Sequence, residues 1–408
     1  MCLSSCPTYE LTRDPDESPR GRIRLMNAVS DHVLSLDDPR FVAHTWSCLL
    51  CGACETVCPS AVPYREIAVM VRAQLVDQEL QPARRRRLDW VLRHVFPRLR
   101  VLRFIGNLLR AFELTGLRGG LVRARPLRRL LPNAFEWLDA SPRIYSRPAS
   151  RRLPAGHSSD APQGPRVAFL EGCVMPVAFG DARRAAIRVL SQLGAELVIP
   201  PGQTCCGALH VHAGQIELGC ELARRNIDAI DFAAPDMVVT DSAGCGAALR
   251  EYGSLLADDP SYSKRATRLS EKVYDFSEVA ASLVSNASFN RTSGRITYQD
   301  ACQLYHAQKT RQEPRDLIRG IAGDKFVEAA ENQTCCGSAG TYALTNPSMS
   351  QALLERKLDV LLATGASTIV SSNPGCLMHL EHGLRERGSK VRIIHLAQLL
   401  EEALESTK

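Results

Sequence analysis

Two hydrophobic rhythms divide this chain. In its first part apolar residues fall at helical spacing. The stretch SPRGRIRLMNAV (18–29) reads as a helix after Pro19, and YREIAVMVRAQLVDQEL (64–80) reads as another. Past Arg84, the residues Leu88, Val91, Leu92, Val95 and Phe96 recur in the same way. From residue 165 the rhythm changes. Short apolar runs (RVAFLEG, AELVIP, DMVVTDSAG) alternate with amphipathic stretches (DARRAAIRVLSQLG, QIELGCELARRNIDAI), and the later runs RITYQDA, DKFVEAA and STIVSSNPG take the same strand role. Such alternation predicts parallel sheets with helices on their faces. Between the two rhythms lies SRPASRRLPAGHSSDAPQGP (146–165), rich in Pro, Ser, Gly and Ala, which reads as a linker.

The fold class that follows is α+β and multidomain. A mainly helical N-terminal domain covers 1–80, a basic helical region and linker 81–164, and two tandem α/β domains with parallel sheets 165–290 and 291–408. No apolar run reaches the ~18 residues of a membrane span. No basic segment followed by an apolar one opens the chain, so no secretory signal is expected. The 15 cysteines are an odd number for a disulfide framework. A reducing, cytoplasmic setting and a thiolate-rich metalloprotein fit them better.

The cysteines are ordered. In CLLCGACETVCPS, Cys48, Cys51, Cys54 and Cys58 stand as C-x2-C-x2-C-x3-C-P, the bacterial ferredoxin run. A structural zinc site is the competing reading, but zinc sites usually pair two C-x2-C knuckles. In two-cluster ferredoxins the fourth cysteine of each run serves the other cluster. The other run here is Cys2-x3-Cys6-Pro7, the last half of the same motif. Cross-ligation then assigns Cys48, Cys51, Cys54 and Cys6 to one 4Fe-4S cluster and leaves Cys2 and Cys58 to an incomplete second. The expectation is that Met1 is an internal methionine and that a C-x2-C-G run is encoded before it. Arg20, Arg22 and Arg24 are placed to offset cluster charge, or to form a solvated helix start.

A second cysteine pattern occurs twice. Cys173, Cys205-Cys206-Gly207 and Cys245 are followed by Cys302, Cys335-Cys336-Gly337 and Cys376, and QTCCG recurs verbatim. The gaps are 32 and 39 residues in the first copy and 33 and 40 in the second, a duplication. Each cysteine follows the carboxyl end of a predicted strand, the edge where open α/β sheets bind ligands. Four cysteines per half could ligate an iron–sulfur cluster, remain as reduced thiols, or form a redox disulfide. His306 and His379 are candidate auxiliary ligands or proton donors; Cys220, inside a helical pattern, reads as a core residue.

Charge adds one feature. The net charge is +6, but 14 arginines against Asp89 and Glu113 fall between Arg84 and Arg129. A basic amphipathic helix can lie on an anionic membrane surface; the alternatives are a docking face for an acidic partner or a solvated face of packed helices. No groove-reading motif accompanies it, so nucleic acid is not an expected partner.

Together these motifs resemble the glycolate oxidase iron–sulfur subunit family over essentially the whole chain. CLSSCPTY, SPRGRI, CGACETVCPSAVPY, both QTCCG stretches and NPGC (Asn373–Cys376) carry the resemblance. Heterodisulfide reductase subunits, the anaerobic glycerol-3-phosphate dehydrogenase C subunit and lactate-utilisation iron–sulfur proteins share the architecture more loosely. The resemblance implies a non-flavin, electron-transfer subunit of an oxidoreductase complex. FAD-containing glycolate oxidase subunits would convert glycolate to glyoxylate, and this chain would pass electrons to quinone or another acceptor. A cytoplasmic location follows, with peripheral contact at the inner membrane's cytoplasmic face. No G-x-G-x-x-G follows a strand here, which places substrate chemistry on another chain. In heterodisulfide reductase relatives the last cysteine begins a C-x2-C pair; here the second positions are Ala248 and His379.

Overall fold

The computed structural model describes residues 1–116, 118, 143–144, 148–149, 164–284, 289–290, 292 and 294–405. Most of the expected linker, and the basic region past residue 118, lie outside the described residues.

The N-terminal part is helical throughout, as expected. Its helices start where a capping residue meets a proline. Ser18 Oγ accepts from Gly21 N ahead of Pro19–Ser30, and Asp38 accepts from Arg40 N and Phe41 N ahead of Pro39–Trp46. Proline fits the first helical position because its missing N–H would have no partner there. Helices Tyr64–Asp77, Ala83–His94 and Leu99–Leu114 follow. Phe41, Trp46 and Leu75 form one small core; Cys48, Leu50, Tyr64 and Ala68 form another.

The C-terminal part holds two parallel sheets. The first has strands β1 (Arg166–Phe169), β2 (Glu196–Val198), β3 (Met237–Thr240) and β4 (Val273–Asp275) in the order β2-β1-β3-β4. The second has β5 (Ile296–Tyr298), β6 (Thr368–Ser371) and β7 (Arg392–His395) in that order. The duplication predicts a fourth strand beside β5, in DKFVEAA. That expectation is corrected: a 3-10 turn over Gly323–Lys325 takes the chain there, and a single bridge remains between Phe326 and Ile296.

The strands are buried on both faces, as parallel sheets require. Val167, Phe169, Val239, Ile296, Tyr298, Val370 and Ile394 point into one shared core. Four helices fill it. Gly180–Gln192, which follows β1, packs against Leu396–Glu405, which follows β7; Phe276–Leu283, which follows β4, packs against Glu313–Ala322 of the second half. Each of these helices thus packs on a helix of the other copy. The opposite strand faces bury Ala168, Leu170 and Val238 in one half and Ile369 in the other, against outer helices. The result is five layers with one core between the sheets.

Candidate functional site

The loop after helix Pro39–Trp46 delivers Cys48 and Cys51, and the short helix Ala53–Thr56 delivers Cys54. The chain start delivers Cys6, immediately before helix Pro7–Thr12. These four thiols line one cavity, together with Pro7, Arg22, Leu50 and Tyr64. Cys2 and Cys58 are half-buried and do not line it.

Of the three arginines read from SPRGRI, only Arg22 turns inward; Arg20 and Arg24 are exposed. The buried Arg22 guanidinium donates to His44 O (2.8 Å), Thr8 Oγ1 (3.2 Å), Glu17 Oε2 (2.5 Å) and Ser47 Oγ (2.9 Å), and lies 4.0 Å from Cys6 Sγ. Burial opposes its charge, but Cys48, Tyr64, Glu17 and Cys6 outweigh burial and raise its pKa. Arg72, with no obvious signal in the sequence, holds the backbone of the same loop. It donates to Cys48 O (2.6 Å) and Thr45 O (3.2 Å) while reaching His212 O of the first α/β half (2.9 Å). Burial pushes the Cys54 thiol up to about 12 and the Cys51 thiol well above its usual value. Clustered thiols in such a setting ionise only if cationic metal offsets their charge.

The two Cys-Cys-Gly sites form at the carboxyl edges of the sheets. In the first, Cys205 Sγ lies 3.5 Å from Cys173 Sγ and Cys206 Sγ 3.3 Å from Cys245 Sγ. In the second, Cys302 and Cys335 are 3.8 Å apart and Cys336 and Cys376 3.4 Å. All eight are free thiols, buried except for the half-buried Cys245. Hydrogen bonds between the thiols, then burial, push Cys205, Cys206, Cys245, Cys335 and Cys376 up. Cys336 is held well below the usual thiol range by hydrogen bonds from Cys335 and Cys376, aided by His379. Dense cysteine donors of this kind suit iron–sulfur ligation.

Polar side chains hold each Cys-Cys-Gly turn. In the first half Asn226 Nδ2 donates to Cys205 O (2.9 Å) and Tyr252 Oη to Cys206 O (2.8 Å). In the second, His379 Nε2 meets Ser350 Oγ (3.1 Å), which donates to Gly337 O (2.9 Å). His379 therefore supports the turn through Ser350. His306 has both ring nitrogens engaged. Gln333 O can only accept, so Nε2 carries the proton (3.0 Å), and Nδ1 accepts from Thr56 Oγ1 (2.9 Å). Burial takes its pKa down to about 4, so the ring is neutral. It ties the ferredoxin loop to the second site. Cys220 is half-buried rather than fully internal, with Sγ facing Leu255 O at 3.6 Å.

The two cysteine systems meet. A single π-helical turn, Gln303–Gln308, follows Cys302, and Gln303 Nε2 donates to Leu50 O (3.0 Å). Cys51 packs in one apolar cluster with Cys302, Cys335 and Tyr342. The first site lies under the basic region instead: Leu99 packs with Cys173, Cys205 and Cys206, and Thr204 Oγ1 donates to Pro97 O (3.2 Å). No helix among the described residues is long and apolar enough to cross a membrane.

A 4Fe-4S dicluster domain family matches residues 1–62, and a Cysteine-rich domain family matches 167–250 and 296–381. The chain is 38% identical over 416 residues to the probable glycolate oxidase iron-sulfur subunit of Bacillus subtilis (strain 168), covering 99% of this chain and 92% of that one. It is 32% identical to the glycolate oxidase iron-sulfur subunit of Escherichia coli (strain K12), with the same coverage. Lactate utilization protein A of Oceanobacillus iheyensis is 27% identical over 58% of this chain and 96% of its own length.

Proposed function

The chain belongs to the glycolate oxidase iron–sulfur subunit family, and we propose that it carries electrons from a flavin-bearing partner toward an acceptor. Glycolate would be oxidised to glyoxylate on FAD-containing partner subunits. The proposed acceptor is quinone or another electron carrier. Cys6, Cys48, Cys51 and Cys54 would hold one 4Fe-4S cluster. Cys173, Cys205, Cys206 and Cys245, and Cys302, Cys335, Cys336 and Cys376, would each hold a further cluster, while Cys2 and Cys58 would form an incomplete ligand set for a second 4Fe-4S cluster. When bound, such clusters take up and release single electrons with little movement of atoms. The protein's part is to keep them close, dry and electrostatically balanced. Arg22 faces the ferredoxin thiols, Tyr64 and Leu50 line their cavity, and Cys51 shares one apolar cluster with Cys302 and Cys335. That last contact carries the reading, since it puts the ferredoxin thiols and the second Cys-Cys-Gly site in one dry cluster.

The test is to purify the chain anaerobically with its flavin partner and to measure iron, sulfide, paramagnetic spectra and glycolate-dependent acceptor reduction. Cys51→Ser should remove the ferredoxin signal and Cys206→Ser a different one, each slowing acceptor reduction at least ~10-fold. Unchanged reduction when this chain is omitted, or iron at background, would overturn the reading. Running lactate and glycerol 3-phosphate alongside glycolate tests the related-complex alternative.

Peripheral membrane contact has its own observation. Val101, Phe104, Ile105 and Leu108 form an exposed stripe at helical spacing, and Trp90 on the preceding helix is exposed as well. Arg86, Arg87, Arg93, Arg98 and Arg100 are exposed on the same pair of helices, and Asp89 is buried. Apolar residues with a basic surround complement an anionic lipid surface. The complex should co-sediment with vesicles containing anionic lipid and not with zwitterionic ones, and Phe104→Glu with Leu108→Glu should abolish it. Equal binding to both vesicle types, or none to either, would reject this contact.

A further inference from the structure

Asn373 stands two residues past β6, at the position just before helix Pro374–Glu386, which carries Cys376. Its amide is engaged at both ends. Nδ2 donates to Cys376 Sγ at 3.4 Å, and Oδ1 accepts from Gly244 N at 3.2 Å. The backbone N–H of Gly244 can only donate, so it fixes the oxygen at that end and turns the amino group toward sulfur. Gly244 immediately precedes Cys245, the last thiol of the first site. It lies in the opening turn of helix Ala243–Arg250, where N–H groups have no partner within the helix. One side chain of the second half therefore caps a helix of the first half and binds a thiol of its own.

The duplication sharpens the point. Ser242 occupies the equivalent position, three residues before Cys245 and two after β3, and its side chain faces the Cys245 thiol. The longer asparagine is what allows a second contact. Glycines flank both ends of the amide. A Cβ on Gly375 would sit 3.4 Å from Asn373 Nδ2, and one on Gly244 would sit 3.6 Å from Oδ1. Adjacent bonds brace the same seam: Ala243 N donates to Ser372 O (3.1 Å) and Gln308 Nε2 to Ala243 O (2.8 Å).

We propose that Asn373 is a positioning residue that couples the two Cys-Cys-Gly sites, raising the reduction potential of the second through its N–H···S contact while anchoring the helix that presents Cys245 of the first. The proposal rests on the reading that both sites hold clusters. Its physical basis is charge. An added electron makes the ligating sulfurs more negative, so a donor aimed at sulfur stabilises the reduced state more than the oxidised one. Removing the donor lowers the potential.

The test is a redox titration of the purified complex followed by paramagnetic resonance, with iron and sulfide measured on every sample. Cys206→Ser and Cys336→Ser assign the signals to the first and second sites. If neither changes iron content or spectra, the cluster reading itself fails. With signals assigned, Asn373→Leu should lower the second-site midpoint at full iron content. Asn373→Ser, which copies the first half, should leave that midpoint near wild type because a hydroxyl still reaches Cys376. Both variants should shift the first-site signal, because neither side chain reaches Gly244. Ser242→Ala should move the first site only. A second-site midpoint unchanged in Asn373→Leu overturns the sulfur contact, and a first-site signal unchanged in both variants overturns the bridge. Should Asn373→Leu lose iron, Asn373→Asp keeps the acceptor for Gly244 and sets a carboxylate against sulfur. It must then lower the second-site midpoint, and no shift overturns the proposal.

Discussion

Arg22 and Asp275 show two ways in which this fold handles buried charge. Arg22 gathers Glu17, Thr8, Ser47 and the His44 carbonyl around one guanidinium beside Cys6. A lysine keeps the charge but not the planar fork. Arg22→Lys should therefore cost roughly 2–4 kcal/mol through lost partners of a buried network. Denaturant unfolding of the iron-free chain checks this; a loss under about 0.5 kcal/mol would contradict it. Asp275 forms no ion pair of its own among the described residues; the nearby Arg250 pairs with Glu278 and offsets burial only in part. Its Oδ1 accepts from Ser277 N (2.9 Å) and Ser277 Oγ (2.6 Å), but Oδ2 has no hydrogen-bond partner among the described residues, and burial pushes the carboxyl up to about 7. The folded value lies above the unfolded value of about 4. The fold thus favours the protonated acid: this contribution is complete below about pH 4 and is lost as pH rises through about 7. Asp275→Asn keeps the acceptor and cannot ionise. Relative to that variant, wild type should lose on the order of 2 kcal/mol between about pH 5.5 and about pH 7.5. Parallel curves for the two proteins, from denaturant midpoints across that range, would remove Asp275 as the cause.

The Cys-Cys-Gly turn is the element on which the candidate sites depend, and glycine is required there for two different reasons. Gly207 and Gly337 have φ of +86° and +89°, in the left-handed region that disfavours any Cβ. At Gly207 the surroundings are otherwise tolerant, with the nearest atom 3.4 Å from an added Cβ. At Gly337 the added carbon would lie 2.6 Å from Ser350 O and 2.9 Å from Leu353 Cβ. Gly207→Ala should cost about 1–2 kcal/mol from conformation alone. Gly337→Ala adds a backbone clash and should cost about 3 kcal/mol or more, with loss of second-site iron. Stability and iron stoichiometry compared side by side test the order; equal effects would mean the helix beneath Gly337 moves aside. The turns themselves were legible in QTCCG, because strand runs and repeated spacing locate them. The helix start at Pro19 was legible in the sequence, whereas that at Pro39 was not singled out. The run around Phe326 was not: its apolar residues match a strand, but the preceding 3-10 turn leaves one bridge. The roles of His306 and His379 were also hidden, because Thr56, Gln333 and Ser350 reach them from distant parts of the chain.

At the scale of the whole molecule, what no linear pattern encodes is the exchange of helices between halves. Periodicity shows that Gly180–Gln192 and Leu396–Glu405 each have an apolar face, but not that they face each other. The placement of the ferredoxin loop against Cys302 is equally invisible, since Gln303, His306 and Leu50 become neighbours only through the fold. The exchange has a thermodynamic consequence. Leu400 is fully buried in the layer between the sheets, within a core that also holds Val167 and Phe169 of the first half and Ile296 and Tyr298 of the second. Truncating it opens a cavity in a core that belongs to both copies, which should cost about 2–5 kcal/mol. If the halves unfolded independently, that loss would fall on the second half alone. With a shared core, the protection of strand amides should fall together. Leu400→Ala should thus raise hydrogen exchange at Val167–Phe169 and at Ile296–Tyr298 by similar factors, roughly 30-fold or more at 2 kcal/mol. The ferredoxin helices around Phe41 and Leu75, which have their own small core, should respond less. Exchange that rises only in the second sheet would show that the two halves are separate cooperative units despite their shared helices.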